Sequence, residues 1–148
     1  GDEEDIHPKN KYDVGERLAL WALAHDYGKE ISFSGPLYKT ITLEEDRIRV
    51  NFNCSEDGLM IGRKEGKKEV EEDKIGKLQG FVIAGEDKVW YWADAKIEGN
   101  SVIVSSPFVN KPIAVRYAFS MNPRGANLYN RSGLPASPFR SDCWEIGF

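Results

Sequence analysis

Between residues 14 and 27 the apolar side chains recur at helical spacing, with Val14, Leu18, Trp21 and Ala22 on one face and Leu20, Leu23, Ala24 and Tyr27 on an adjoining one. Asp13 is placed as the N-cap, Glu16 three residues on completes a capping box, and Gly28 is placed to end the helix. The combined stripe is wider than a surface helix needs, so burial on more than one side is expected. Little precedes the helix to cover it, and the pattern therefore predicts a piece of a longer protein.

After Lys29 the apolar period shortens from 3.6 to 2, and turn signals follow about every eight to twelve residues. This predicts a mainly β fold, an antiparallel β-sandwich of jelly-roll or immunoglobulin-like type, preceded by one α-helix. In residues 47–52, Ile48, Val50 and Phe52 share one face, and Arg47, Arg49 and Asn51 share the other. Hairpins are expected over residues 40–50 about Glu44-Glu45-Asp46, 81–92 about Gly85-Glu86-Asp87, and 93–104 about Glu98-Gly99-Asn100. Residues 59–62 and 112–119 add further strands, for seven or eight in all. The mixed-charge run RKEGKKEVEEDK, residues 63–74, reads as a solvated loop.

From Met121 the pattern changes again: MNPRGANLYNRSGLPASPFRSD is rich in Pro, Gly, Asn and Ser and has no period. Its interspersed Leu128, Tyr129, Leu134 and Phe139 predict an ordered strap, residues 122–140, docked onto another surface. Trp90 and Trp92 fall on one face of a strand, with Tyr91 on the other. Exposed, such a pair of indoles stacks on sugar rings; buried, it is core.

Charge and cysteine content narrow the function classes. The chain has 148 residues, with 20 Lys+Arg against 24 Asp+Glu, a net charge of −4, and no basic cluster, which argues against nucleic-acid and anionic-membrane partners. No apolar run approaches the ~18–20 residues of a membrane span, and the first ten residues are acidic and then polar, unlike a secretory leader. Cys54 and Cys143 have no metal-ligand spacing, so no metal or other cofactor is expected; a disulfide between them and two separate thiols both remain open.

Two histidines are present. His25, near the helix C-terminus with no second ligand spaced to it, reads as structural. His7 lies in Glu4-Asp5-Ile6-His7-Pro8, where Pro8 restricts it to extended or turn geometry. A carboxylate two or three residues earlier reaches Nδ1 in that geometry, fixing the tautomer and leaving Nε2 as a base.

The run Asp5-Ile6-His7-Pro8-Lys9-Asn10-Lys11, followed by Val14-Gly15-Glu16-Arg17-Leu18-Ala19-Leu20-Trp21-Ala22-Leu23-Ala24, resembles the end of the catalytic domain of sialate O-acetylesterases, a branch of the SGNH (GDSL-like) hydrolases. The runs GFVIAGED (80–87), ADAKIEG (93–99) and GANLYN (125–130) to GLPASPFR (133–140) are similar to the same family's C-terminal region. The resemblance extends over nearly the whole chain. It implies that residues 1–29 close an α/β SGNH hydrolase domain and that residues 30–148 form a C-terminal accessory sandwich.

The implied reaction is serine-dependent hydrolysis of O-acetyl groups on sialic acids or other acetylated glycans: serine attacks, histidine takes its proton, and amide donors hold the oxyanion. His7 matches the triad histidine, and Asp5 belongs to the matching run. Glu4 is the rival carboxylate, because the wider superfamily carries its acid three residues before the histidine; a Ser-His dyad is a third arrangement. The nucleophile is absent from this chain. Ser101 follows Gly99-Asn100 in a predicted hairpin turn, whereas a nucleophile elbow needs a strand-to-helix turn. The implied partners are the acetylated glycan and an N-terminal hydrolase domain, the implied location is secreted or periplasmic, and the chain alone is expected to be inactive. A reading of a different class is a stand-alone carbohydrate-binding sandwich that uses Trp90 and Trp92.

Overall fold

The computed structural model describes His7 and residues 10–145. Within them, helix α1 (Lys11–His25) precedes strands β1 (Leu37–Glu44), β2 (Arg47–Asn53), β3 (Leu59–Arg63), β4 (Glu71–Glu72), β5 (Phe81–Ala84), β6 (Trp90–Trp92), β7 (Asp94–Glu98), β8 (Ser101–Ser105), β9 (Ala114–Tyr117), β10 (Leu128–Asn130) and β11 (Phe139–Arg140). They build three sheets with the orders β1-β2-β8-β7, β11-β9-β5-β6 and β10-β3-β4, and every strand pair is antiparallel. The mainly β sandwich expected from the alternating pattern is what forms. Strands beyond the expected seven or eight are β4, β10 and β11, of two, three and two residues, too short for a period to register.

The alternation in β2 sets the core. Ile48 and Val50 are wholly buried and pair with Val104 and Val102 of β8, also wholly buried. They join Phe81, Ile83, Val115 and Tyr117 of the second four-stranded sheet in one cluster. Each such side chain contributes about 1.5–3 kcal/mol through burial. Phe139 of β11 bridges the two sheets: its ring stacks on Tyr38 at 4.8 Å and lies 5.8 Å from Phe52 and 6.0 Å from Tyr117. The three expected hairpins form. Glu44 pairs with Arg47 and Glu98 with Ser101, leaving two-residue turns; Gly99 has φ +60°, a conformation glycine adopts without strain.

Tyr117 reports on this core. Burial pushes its phenol up to about 12, although its oxygen accepts a 2.9 Å hydrogen bond from the Leu128 amide. An unfolded tyrosine ionises near pH 10, so the stability tied to this neutral phenol is complete below pH 10 and is lost as pH rises from there through about 12. Urea unfolding is expected to show a loss of about 2–3 kcal/mol across that window, and Tyr117→Phe should remove most of that loss. An unchanged alkaline loss in Tyr117→Phe would assign it to other groups.

Three features depart from expectation. The helix starts at Lys11 because Asn10, not Asp13, is its cap: the Asn10 side chain accepts from the Asp13 amide at 3.2 Å. Asn10 and Asp13 have the same spacing as Asp13 and Glu16, so the pattern fits both starts, and the earlier one adds nearly a turn. The expected two-sided burial of α1 is absent. No residue of the helix is buried, and Val14, Leu18 and Trp21 are 47%, 67% and 45% exposed, because the described residues reach only one flank of it. Finally, the strap docks on the chain's own sandwich: β10 pairs with β3, β11 pairs with β9, and Leu128 and Phe139 enter the core.

The strap is held by Asn130, which is wholly buried. Its Nδ2 donates to the Ser34 carbonyl at 3.0 Å and its Oδ1 accepts from the Leu134 amide at 2.9 Å. This ties the segment after α1 to the strap. Gly35 makes the approach possible, since a Cβ there would overlap the Pro135 carbonyl.

Candidate functional site

His7 is exposed and lies three residues before the cap of α1. Asp5 and Glu4, the two carboxylates expected to pair with it, lie outside the described residues. What the structure does describe is how the start of α1 is held. The charged run 63–74, expected to be a solvated loop, contributes β4 and grips the helix. Asn10 Nδ2 donates to the Gly66 carbonyl at 3.3 Å, and Lys64 Nζ is 3.1 Å from the Asp13 carboxylate while also donating to the Lys68 carbonyl at 2.6 Å. The Lys64 and Asp13 side chains are only 22% and 13% exposed. Burial alone pushes the Asp13 carboxyl up, but hydrogen bonds from Lys64 and Asn10 and the Lys64 charge carry it below its ordinary value.

The other end of the helix is fixed by rings. Trp21 and His25 stack at 5.0 Å, and both meet the edge of Phe33, at 4.8 and 4.7 Å. His25 is thus part of an aromatic contact between α1 and the segment that leads to β1. A cavity of about 620 Å³ lies between the helix and the strap, lined by Tyr12, Glu16, Arg17, Lys64, Arg131 and Leu134 among others. The β3–β4 loop therefore holds the start of α1, and Phe33 of the connecting segment packs against its end.

Ser101 opens β8 immediately after the Gly99-Asn100 turn, and its Oγ donates to Asn51 Oδ1 at 3.0 Å. No strand-to-helix turn surrounds it, and no imidazole is its partner. Cys54 and Cys143 are both free thiols, Cys54 half-buried and Cys143 exposed. Burial pushes the Cys54 thiol up, away from reactivity. Among the described residues no group of three or more His, Cys, Asp or Glu is placed to hold a metal ion, and no helix is long and apolar enough to cross a membrane.

A second chemically distinctive region lies on the outer face of the β11-β9-β5-β6 sheet. Register places Trp92, Val82, Arg116 and Arg140 in one row across its four strands. Trp90 and Trp92 share this face as expected, while Tyr91 turns inward against the core. Trp92 is 77% exposed; Trp90 is half-buried beneath the Arg116 guanidinium, 4.1 Å from its ring, and beside Trp144. Arg116 makes a two-pronged ion pair with Asp142, through Nε at 2.8 Å and Nη2 at 2.7 Å, and these bonds hold the Asp142 carboxyl below its usual range. Arg116 and Asp142 escaped the sequence reading because nothing in the local pattern links residues 26 positions apart.

Together these features define a mainly β sandwich with one helix held against it. No family model matches the chain, and no curated protein does. The chain is similar to the solved structure of a carbohydrate acetylesterase from Xanthomonas citri, with 42% identity and a TM-score of 0.86. That likeness covers 97% of this chain and 31% of the Xanthomonas citri chain, so this chain spans less than a third of that enzyme's length.

Proposed function

We propose that this chain is the C-terminal part of a serine-dependent carbohydrate acetylesterase, with O-acetylated sialic acids or related acetylated glycans as substrates. The observation that carries this reading is the 42% identity, extending over 97% of the chain, to a carbohydrate acetylesterase more than three times the length of the matched region. In this reading residues 1–29 complete the hydrolase domain, and residues 30–148 are an accessory sandwich. The exposed Val14, Leu18 and Trp21 of α1 support it, since an apolar helix flank of this size is normally covered. The hydrolase domain upstream would cover it.

His7 then acts as the general base. It takes the proton from the upstream serine as that oxygen attacks the acetyl carbonyl, and returns it to the sugar oxygen as the acetyl–sugar bond breaks. A water, activated by the same imidazole, releases acetate from the acyl-serine. Asp5 orients the imidazole, with Glu4 as its rival. The grip of Lys64 and Gly66 on the first turn of α1, whose cap lies three residues beyond His7, supports this role.

Because the nucleophile is supplied by other residues, the isolated 148-residue chain should hydrolyse an aryl acetate no faster than its own His7→Ala variant. Turnover by the isolated chain that depends on one of its own serines would overturn the proposal.

A further inference from the structure

We infer that the outer face of the β11-β9-β5-β6 sheet binds an oligosaccharide, independently of the catalytic role proposed for His7. The row Trp92, Val82, Arg116 and Arg140 crosses four neighbouring strands, about 14 Å at the usual strand spacing, which suits a short run of sugar rings. At one end Trp92 offers an indole face that is 77% exposed; toward the other, Phe119 is 40% exposed between the Arg116 and Arg140 guanidinium groups, at 4.9 and 5.9 Å. Half-buried Val82 forms the floor between them.

A sugar ring presents an apolar C–H face and a rim of oxygens, which calls for an aromatic plate with fixed N–H donors beside it. Both are here. Asp142 locks the Arg116 guanidinium in place, its side chain 13% exposed, and the half-buried Arg140 holds its guanidinium against Phe119.

The same chemistry argues against a protein occupant. Lys88, Arg116 and Arg140 all sit against the aromatic rings of this patch, with the Asp142 carboxylate paired to Arg116. Drying three cations against an apolar protein surface is unfavourable, whereas a polyol or a sugar carboxylate brings its own acceptors. An acidic sugar is therefore expected to bind more tightly than a neutral one.

The test is titration of the full chain with sialyllactose, cellohexaose and an O-acetylated xylan, read by tryptophan fluorescence and calorimetry. Saturable binding of at least one is expected, weakened about tenfold or more in Trp92→Ala and in Arg140→Ala and unchanged in Lys96→Ala, on β7 of the other four-stranded sheet. Trp92 is exposed, so its replacement should leave the circular dichroism spectrum intact. Failure of all three sugars to bind, or equal binding by Trp92→Ala, would overturn the inference. So would a concentration-dependent dimer that Trp92→Ala dissolves while no sugar binds, which would assign the face to a second copy. Esterase activity enters none of these readouts, so failure here is distinguishable from failure of the catalytic reading.

Discussion

Phe139→Ala is expected to destabilise the chain by about 3–5 kcal/mol, the usual range for removing a buried aromatic ring. Phe139 is 8% exposed and touches rings from both four-stranded sheets, Tyr38 and Phe52 on one side and Phe81 and Tyr117 on the other. Its loss opens a cavity at the point where the sandwich closes, and no neighbour can refill it without leaving another contact. For a domain of this size the melting temperature should fall by about 10 °C or more. A consequence reaches further than the core. β11 carries Arg140 and pairs only with β9, through Phe139 and Arg140, so the outer face of that sheet should loosen as well. A shift below 3 °C, on the same scale, would show that the strap is not integral to the fold.

Phe139 also shows where sequence reasoning succeeds and where it stops. In β2 the alternation of Ile48, Val50 and Phe52 is local, and the period alone says which face is buried. The turns after Glu44 and Glu98 are likewise written in adjacent residues. Phe139 has no period around it. The chain from 121 to 140 looks aperiodic because its strands are two or three residues long, and its order comes from distant partners: the Asn130 side chain on Ser34, the β3 backbone on β10, Tyr38 on Phe139. Residues 63–74 are largely the exposed loop that their charge predicts, with the two-residue β4 and the Lys64 contact as additions. Their charge content describes a wet surface, but Lys64 uses one of those charges on Asp13, 51 residues earlier.

The candidate site was legible to a different degree. His7 stands out by chemistry, in an acidic run ahead of a helix, but no periodicity assigns it a role; the role proposed for it rests on the resemblance of residues 5–24 to an esterase. The first turn of α1 begins one capping unit earlier than the pattern predicts, because Asn10-to-Asp13 and Asp13-to-Glu16 have the same spacing and only the tertiary hold on Asn10 and Asp13 selects the first. The outer sheet face was half legible: that Trp90 and Trp92 share a side follows from strand geometry, whereas the guanidinium groups between the rings depend on pairing among β5, β6, β9 and β11.

The second large effect concerns His7 itself. Under the role proposed for His7, His7→Ala in the full-length protein should lower kcat by about 10³-fold or more, since the serine would then have no positioned base. Asp5→Asn should cost about 10²-fold or more by freeing the imidazole to turn, while Glu4→Gln should cost little. The reverse order for the two carboxylates would assign the orienting role to Glu4. Because His7 is exposed and lies ahead of the helix cap, its replacement should leave the melting temperature of the sandwich unchanged.

The most direct test is the rate of acetate release from an O-acetylated glycan by the intact enzyme, measured for the wild type and His7→Ala at matched folding. The account predicts that acetate release by His7→Ala falls to about a thousandth of the wild-type rate or lower, with the fold retained. A His7→Ala enzyme that releases acetate at the wild-type rate would contradict it.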